Sequence, residues 1–72
     1  MEKYLNKSGN SPITHYEIGI DFIIVRFKGG KDYIYSYKGK AGKYNVDIMK
    51  SLAVRGSGLS AYITKNVKYS YD

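Results

Sequence analysis

The stretch from Tyr33 to Lys43, YIYSYKGKAGK, sets three tyrosines at alternate positions and then three lysines among two glycines. Side chains alternate along a strand, so Tyr33, Tyr35 and Tyr37 fall on one face of it. Rings beside ammonium groups are what a single-stranded nucleic acid site uses: bases stack on the rings and phosphates meet the cations. Lys38, Lys40 and Lys43 surround flexible glycines, so backbone N–H groups and ammonium heads can approach one phosphate together. The run GKAGK has neither the spacing of a nucleotide phosphate loop nor the Ser/Thr that follows its lysine. A second candidate is the turn Arg55-Gly56-Ser57-Gly58, which opens onto a possible helix at Leu59 whose start can receive an anion. Lys65 adds a further cation in the same half of the chain.

Residues for catalysis are scarce. His15 is the only histidine, there is no cysteine, and the acids number six. A nucleophilic triad or a thiolate metal site needs partners that this composition does not offer. The expectation is a non-enzymatic protein without metal, cofactor or small-molecule substrate, with His15 an ordinary strand residue.

The chain has 72 residues and a formal net charge of +6. Residues 1–36 hold five Lys/Arg and four Asp/Glu, whereas residues 37–72 hold seven and two. A basic half attracts anionic partners at long range, although lysines also keep a surface with nine tyrosines soluble. A chain this short buries only about 60% of the surface that it exposes when unfolded. Without cysteine it has no disulfide to add, so stability rests on packing or self-association. No run approaches the roughly 18 apolar residues of a membrane span, and residues 1–12 lack the apolar core of a secretory signal. A cytoplasmic location is expected.

The elements that must position these residues follow from periodicity. Residues 1–12 are polar and read as a flexible tail, with residues 13–72 forming one domain. ITHYEI (13–18) reads as a strand, with Ile13 opposite in face to Tyr16 and Ile18 unless a bulge intervenes. FIIVRFK (22–28) is β-branched and aromatic, the strongest strand signal in the chain. DYIYSY (32–37) returns after the glycines. A three-residue loop of Gly29, Gly30 and Lys31 predicts Phe27 opposite Tyr33, Val25 opposite Tyr35, Ile23 opposite Tyr37 and Lys28 paired with Asp32. The segment 44–56 has helical period, with Val46, Met49 and Ala53 on one stripe, Asn45 as N-cap and Gly56 or Gly58 as C-cap. Residues 59–67 read as a short second helix and VKYSY (67–71) as a closing strand. The sum is an α+β fold: a small antiparallel sheet in the order β-β-β-α-(α)-β with one main helix on one face.

That helix must cover the face carrying Ile23, Val25 and Phe27, which is also the tyrosine face. Tyr33 and Tyr35 are then core residues with hydroxyls at the rim, and Tyr37, at the strand end, is the exposed ring. On the other sheet face Ile24, Arg26 and Ile34 form a mixed patch suited to a partner or a second copy.

The residues Ile13 and Tyr16, then Ile23, Val25 and Phe27, then Gly30, Tyr33 and Tyr35, with Leu52, Ala53, Gly58 and Ile63, resemble the KTSC family over roughly 11–71. This small domain is named for its occurrence at the C-terminus of some lysyl-tRNA synthetases and also stands alone in bacterial and phage proteins. The chain departs from the family after YxY, where SYKGKAGK replaces a proline-containing connection, and after Gly58, where Leu59-Ser60-Ala61-Tyr62 replaces an aromatic and an asparagine. The family has no established activity; the synthetase association implies RNA. The expected function is therefore a small binding module that engages RNA weakly through Lys38, Lys40, Lys43, Arg55 and Lys65, with Tyr37 as a stacking ring. The alternative is a protein-interaction or self-associating module, of bacterial or phage origin, with no nucleic-acid role.

Overall fold

The loop between the two strongest strands sets the register of the whole sheet. In a computed structural model that describes all 72 residues, β3 (Phe22–Phe27) and β4 (Asp32–Ser36) are antiparallel neighbours. Val25 lies opposite Tyr33, Ile23 opposite Tyr35, Ile24 opposite Ile34 and Arg26 opposite Asp32. The connection is Lys28-Gly29-Gly30, closed by hydrogen bonds from Gly30 N–H to Phe27 O (3.0 Å) and from Phe27 N–H to Lys31 O (2.9 Å). The register is thus two residues away from the sequence expectation. Its cause is backbone conformation: the turn needs two consecutive positive φ angles, and Gly29 (94°) and Gly30 (85°) supply both. The expected loop would have put the non-glycine Lys31 at the left-handed position. A two-residue shift preserves the faces, so Tyr33 and Tyr35 still share a face with Ile23, Val25 and Phe27. The cross-strand ion pair becomes Arg26–Asp32, bidentate at 2.7 and 3.1 Å, instead of Lys28–Asp32.

Strand β2 (Ile13–Ile18) pairs with β3 through a register shift between Ile13 and His15. This bulge brings Ile13 onto the face of Tyr16 and Ile18, opposite Phe27, Val25 and Ile23 respectively. The fourth strand precedes these three. Glu2–Lys3 forms β1, which pairs with β2 in the sheet order β1-β2-β3-β4. The segment expected to be a flexible tail is therefore packed. Tyr4 is 3% exposed, its N–H donates to Thr14 O (2.9 Å), and its hydroxyl accepts the N–H of Leu59 at 3.3 Å. Asn6 holds the returning loop by accepting the Ser11 N–H on its side chain (3.0 Å).

Helix α1 (Gly42–Arg55) buries Val46, Met49 and Ala53, the expected stripe. It starts two residues before the expected position, and Asn45 is not its cap. Asn45 instead donates to Ala41 O (2.9 Å) and accepts the Tyr62 hydroxyl (2.6 Å), tying α1 to the next segment. Gly56 (φ 81°) terminates α1, its N–H reaching the carbonyls of Leu52 and Ala53.

The chain then forms α2 (Leu59–Tyr62), which widens into a π-helical turn over Ile63–Val67. Leu59, Ile63 and Val67 are all buried. The closing strand expected at 67–71 does not form. Val67 belongs both to a period-two pattern with Tyr69 and Tyr71 and to the four-residue spacing of Leu59 and Ile63, and the helical pattern wins because it reaches the core. Ser70 N–H turns back to Val67 O (2.9 Å), and the one backbone bond that reaches the outer edge of β4 runs from Asp72 N–H to Ile34 O (2.7 Å).

The class is α+β, an antiparallel four-stranded sheet with α1 packed on one face. Ile13, Ile23, Val25 and Tyr35 from the sheet meet Val46, Met49, Ala53, Leu59, Ile63 and Val67 from above. Burying one such large apolar side chain is worth about 1.5–3 kcal/mol. Tyr4 belongs to the same cluster, and removing its hydroxyl would strand the Leu59 N–H. Tyr4→Phe is expected to lower unfolding free energy by about 1–2 kcal/mol in a urea titration; an unchanged midpoint would mean that the hydroxyl holds nothing.

Candidate nucleic-acid interface

Between β4 and α1 the backbone turns sharply through Tyr37–Ala41. Gly39 N–H donates to Ser36 O (3.2 Å), and Lys38 and Lys40 are exposed with no ion-pair partner. Ala41 is right-handed (φ −68°, ψ −43°) and Gly42 has φ 80°. A right-handed residue followed by one of positive φ is the succession that can turn neighbouring N–H groups toward one side. No side chain caps the helix here and no acid lies in its first turn, so the positive end of its dipole is uncompensated.

One turn inside α1 the charges are already engaged. Lys43 Nζ lies 2.9 Å from Asp47, a pair at i,i+4. The Tyr37 hydroxyl donates to the other oxygen of Asp47. Lys50 donates to that hydroxyl (3.1 Å) and to the carbonyls of Gly19 (2.9 Å) and Ile20 (3.1 Å), while Tyr37 N–H donates to Asp21 O (2.8 Å). The ammonium groups of Lys43 and Lys50 lie 5.2 and 4.7 Å from the Tyr37 ring centre. The expected stacking ring is thus half-buried, bonded at its hydroxyl and approached by two cations. It fastens the β2–β3 turn to α1. The hydroxyl of Tyr37 and then Lys43 hold the Asp47 carboxyl below its ordinary value of 3.8, and Asp47 in turn raises Lys43.

The other expected cations are dispersed. Arg55 stands at the far end of α1, roughly 20 Å from the lysine loop by the helix rise. There its guanidinium donates to the Ser57 hydroxyl (3.2 Å) in the turn it caps. Lys65 is exposed on the π-helical turn, three residues beyond the Tyr62–Asn45 tie to the first turns of α1. Lys38, Lys40 and Lys43 thus lie together, Lys65 follows a segment tied to the same end, and Arg55 is separate.

The three tyrosines of β4 and its end part company. Tyr35 is 1% exposed and its pKa is pushed up to about 12, first by burial and then by the nearby Tyr33 and Tyr71. Tyr33 is half-buried, its ring edge-on to Phe27 at 5.5 Å between centres. On the sheet face away from α1, Ile24 and Ile34 are direct cross-strand neighbours, with Ile34 44% exposed, beside the Arg26–Asp32 pair. His15 lies opposite Arg26 on this face, and its Nδ1 is buried without a hydrogen-bond partner. No three His, Cys, Asp or Glu residues gather in one place, and no helix is long and apolar enough to cross a membrane.

No family model, curated protein or solved structure matches the chain.

Asp47 and Lys50 lie off the Val46, Met49 and Ala53 stripe, and the sequence expectation included neither in this region. The i,i+4 spacing from Lys43 marks the ion pair; nothing local marks the reach of Lys50 to residues thirty positions away. The depressed pKa of Asp47 fixes a sign. Its contribution to stability is full above the unfolded value and disappears as pH falls through the folded one. Asp47→Asn is therefore expected to lower the melting temperature at neutral pH, and the gap from the unsubstituted protein should close as pH falls from the ordinary carboxyl value of 3.8 through the lower folded one. A gap that persists at low pH would show that the carboxylate charge is not what Tyr37 and Lys43 bind.

Proposed function

We propose that this chain is a small non-enzymatic module that engages RNA weakly through phosphates, with Lys38 and Lys40 as its main contacts, Lys65 as a further exposed cation and Arg55 peripheral. The observation that carries this reading is the pair of exposed, unpaired lysines on the loop that leads into the acid-free end of α1. Of the twelve cations only Arg26 and Lys43 are in ion pairs, so most of the +6 charge faces outward. The KTSC-like residues and the α+β arrangement support the same reading through the family's association with a tRNA synthetase. The alternative, docking of a protein or second copy in the cytoplasm of a bacterial or phage system, draws on the neighbouring Ile24 and Ile34 of the uncovered sheet face.

Replacing Lys38 and Lys40 together by alanine should weaken binding to single-stranded RNA and reduce the slope of log affinity against log salt by about 0.7 per lysine removed. Lys43→Ala should change the slope less, because Asp47 already neutralises that ammonium. Fluorescence anisotropy over a salt series reads both quantities. Affinity and slope that ignore the Lys38/Lys40 substitution would refute the assignment, and concentration-dependent mass in sedimentation that Ile34→Lys abolishes would favour the alternative.

A further inference from the structure

Where the expected last strand fails to form, the chain leaves an aromatic groove of about 280 Å3 between β3–β4 and the C-terminal segment. Its floor is Phe27, Tyr33 and Tyr35, and its far wall is Tyr69 and Tyr71. The Tyr71 ring leans on Tyr33 with centres 4.8 Å apart at 54°, and Tyr33 meets Phe27 edge-on. Tyr69 is 74% exposed, so a large aromatic surface is left without a partner. Two ammonium groups flank it: Lys31 Nζ is 5.9 Å from the Tyr33 ring centre and Lys68 Nζ 5.5 Å from that of Tyr69.

The charge around the groove is of one sign. No acid lines it. The two nearest in sequence are bound elsewhere, Asp32 by Arg26 and Asp72 by the Ser36 hydroxyl. Neither Lys31 nor Lys68 is in an ion pair. The fitting occupant therefore presents a flat ring to the tyrosines and a negative charge to the lysines. We infer that this groove binds an unpaired nucleotide of single-stranded RNA, its base stacked on Tyr69 and Tyr71 and its flanking phosphates on Lys31 and Lys68. The inference rests on the RNA reading above and adds a base-stacking site, distinct from the lysine loop, that selects unpaired over duplex strands. A peptide would need neither the anionic partner nor the planar one.

Two terms separate the sites: stacking changes affinity without changing the number of phosphates neutralised, whereas lysines change the salt slope. The test uses the full chain and a labelled oligouridylate about 8 nucleotides long, alongside the same backbone with abasic sugars. The expected result is binding weakened on the order of tenfold by loss of the bases, by Tyr69→Leu and by Tyr71→Leu, at unchanged salt slope. Tyr71→Phe, which keeps the ring and its packing on Tyr33, should retain affinity and so separates stacking from folding. Equal affinity for the abasic strand, or Leu variants that bind like the unsubstituted protein, would overturn the groove; the phosphate reading then stands if the Lys38/Lys40 substitution still flattens the slope. Absence of any RNA binding at low salt overturns both. Amide shifts at Tyr33, Tyr69 and Tyr71 with a proline-rich peptide and none with RNA would assign the groove to a protein partner instead.

Discussion

Burial of one sheet face beneath a single helical layer is the constraint on which the remaining structure depends. Ile13, Ile23, Val25 and Tyr35 form that face, and α1 with the Leu59–Val67 segment is most of the cover. With no cysteine to cross-link the chain, each of these contacts is a large share of a stability that in small domains is only a few kcal/mol. The order of the C-terminal segment follows from this. A helical turn delivers Leu59, Ile63 and Val67 to the core at four-residue spacing, whereas the expected strand over 67–71 would have held only Val67 of the three. The N-terminal residues serve the same core, because Tyr4 fills a place that neither α1 nor α2 reaches and satisfies the first N–H of α2.

Polar interactions close the ends of this layer rather than its middle. At one end Lys50 crosses from α1 to the carbonyls of Gly19 and Ile20 and to the Tyr37 hydroxyl, so one ammonium group satisfies three acceptors on two connections. At the same end the Tyr62 hydroxyl joins Asn45. These bonds decide which lysines remain available to a ligand. Lys43 and Lys50 are held by the fold, while Lys38 and Lys40, on the connection between the fastened elements, are held by nothing. A charge run in a sequence therefore divides into structural and free members according to the acceptors that the fold brings near.

Much of this was legible from the residues. The strands at 13–18 and 22–27, the helix stripe Val46–Met49–Ala53 and the closure at Gly56 follow from local periodicity and glycine chemistry, which act over a few residues. The register of the β3–β4 hairpin was legible in principle, since two glycines in succession must occupy the two left-handed positions; moving the loop by one residue to honour both gives the observed pairing. What was hidden depends on distant contacts. Nothing within residues 1–12 shows that Tyr4 meets Leu59, because a single tyrosine in a polar segment has no periodicity. The closing strand was read from alternation in 67–71, a signal that is valid only if an unpaired edge is free to accept it, and the core claimed Val67 first. In the candidate site, the cluster of Lys38, Lys40 and Lys43 came from adjacency in sequence, while the separation of Arg55 from them required only the length of α1.

The tyrosines show why one residue type can serve both a minimal core and a binding surface. A tyrosine on the core face of a narrow sheet is long enough to reach the rim, so its ring adds apolar burial while its hydroxyl stays near water or a partner. Depth then depends on what stands over it. Tyr35, under the middle of the cover, is buried. Tyr37, at the strand end, is fastened by Asp47 and Lys50. Tyr33, beyond the reach of α1, is covered in part by Tyr71, which is anchored through the neighbouring Asp72 to β4 by one backbone bond and one side-chain bond. A cover held so lightly leaves ring surface exposed at that edge. An apolar residue such as leucine in its place would expose a sticky patch with no directional chemistry, whereas paired tyrosines expose flat faces that accept another ring. The edge that the core leaves unfinished is thus the edge where flat ring faces stand beside the unpaired Lys31 and Lys68, which is the combination the proposed planar, anionic ligand requires.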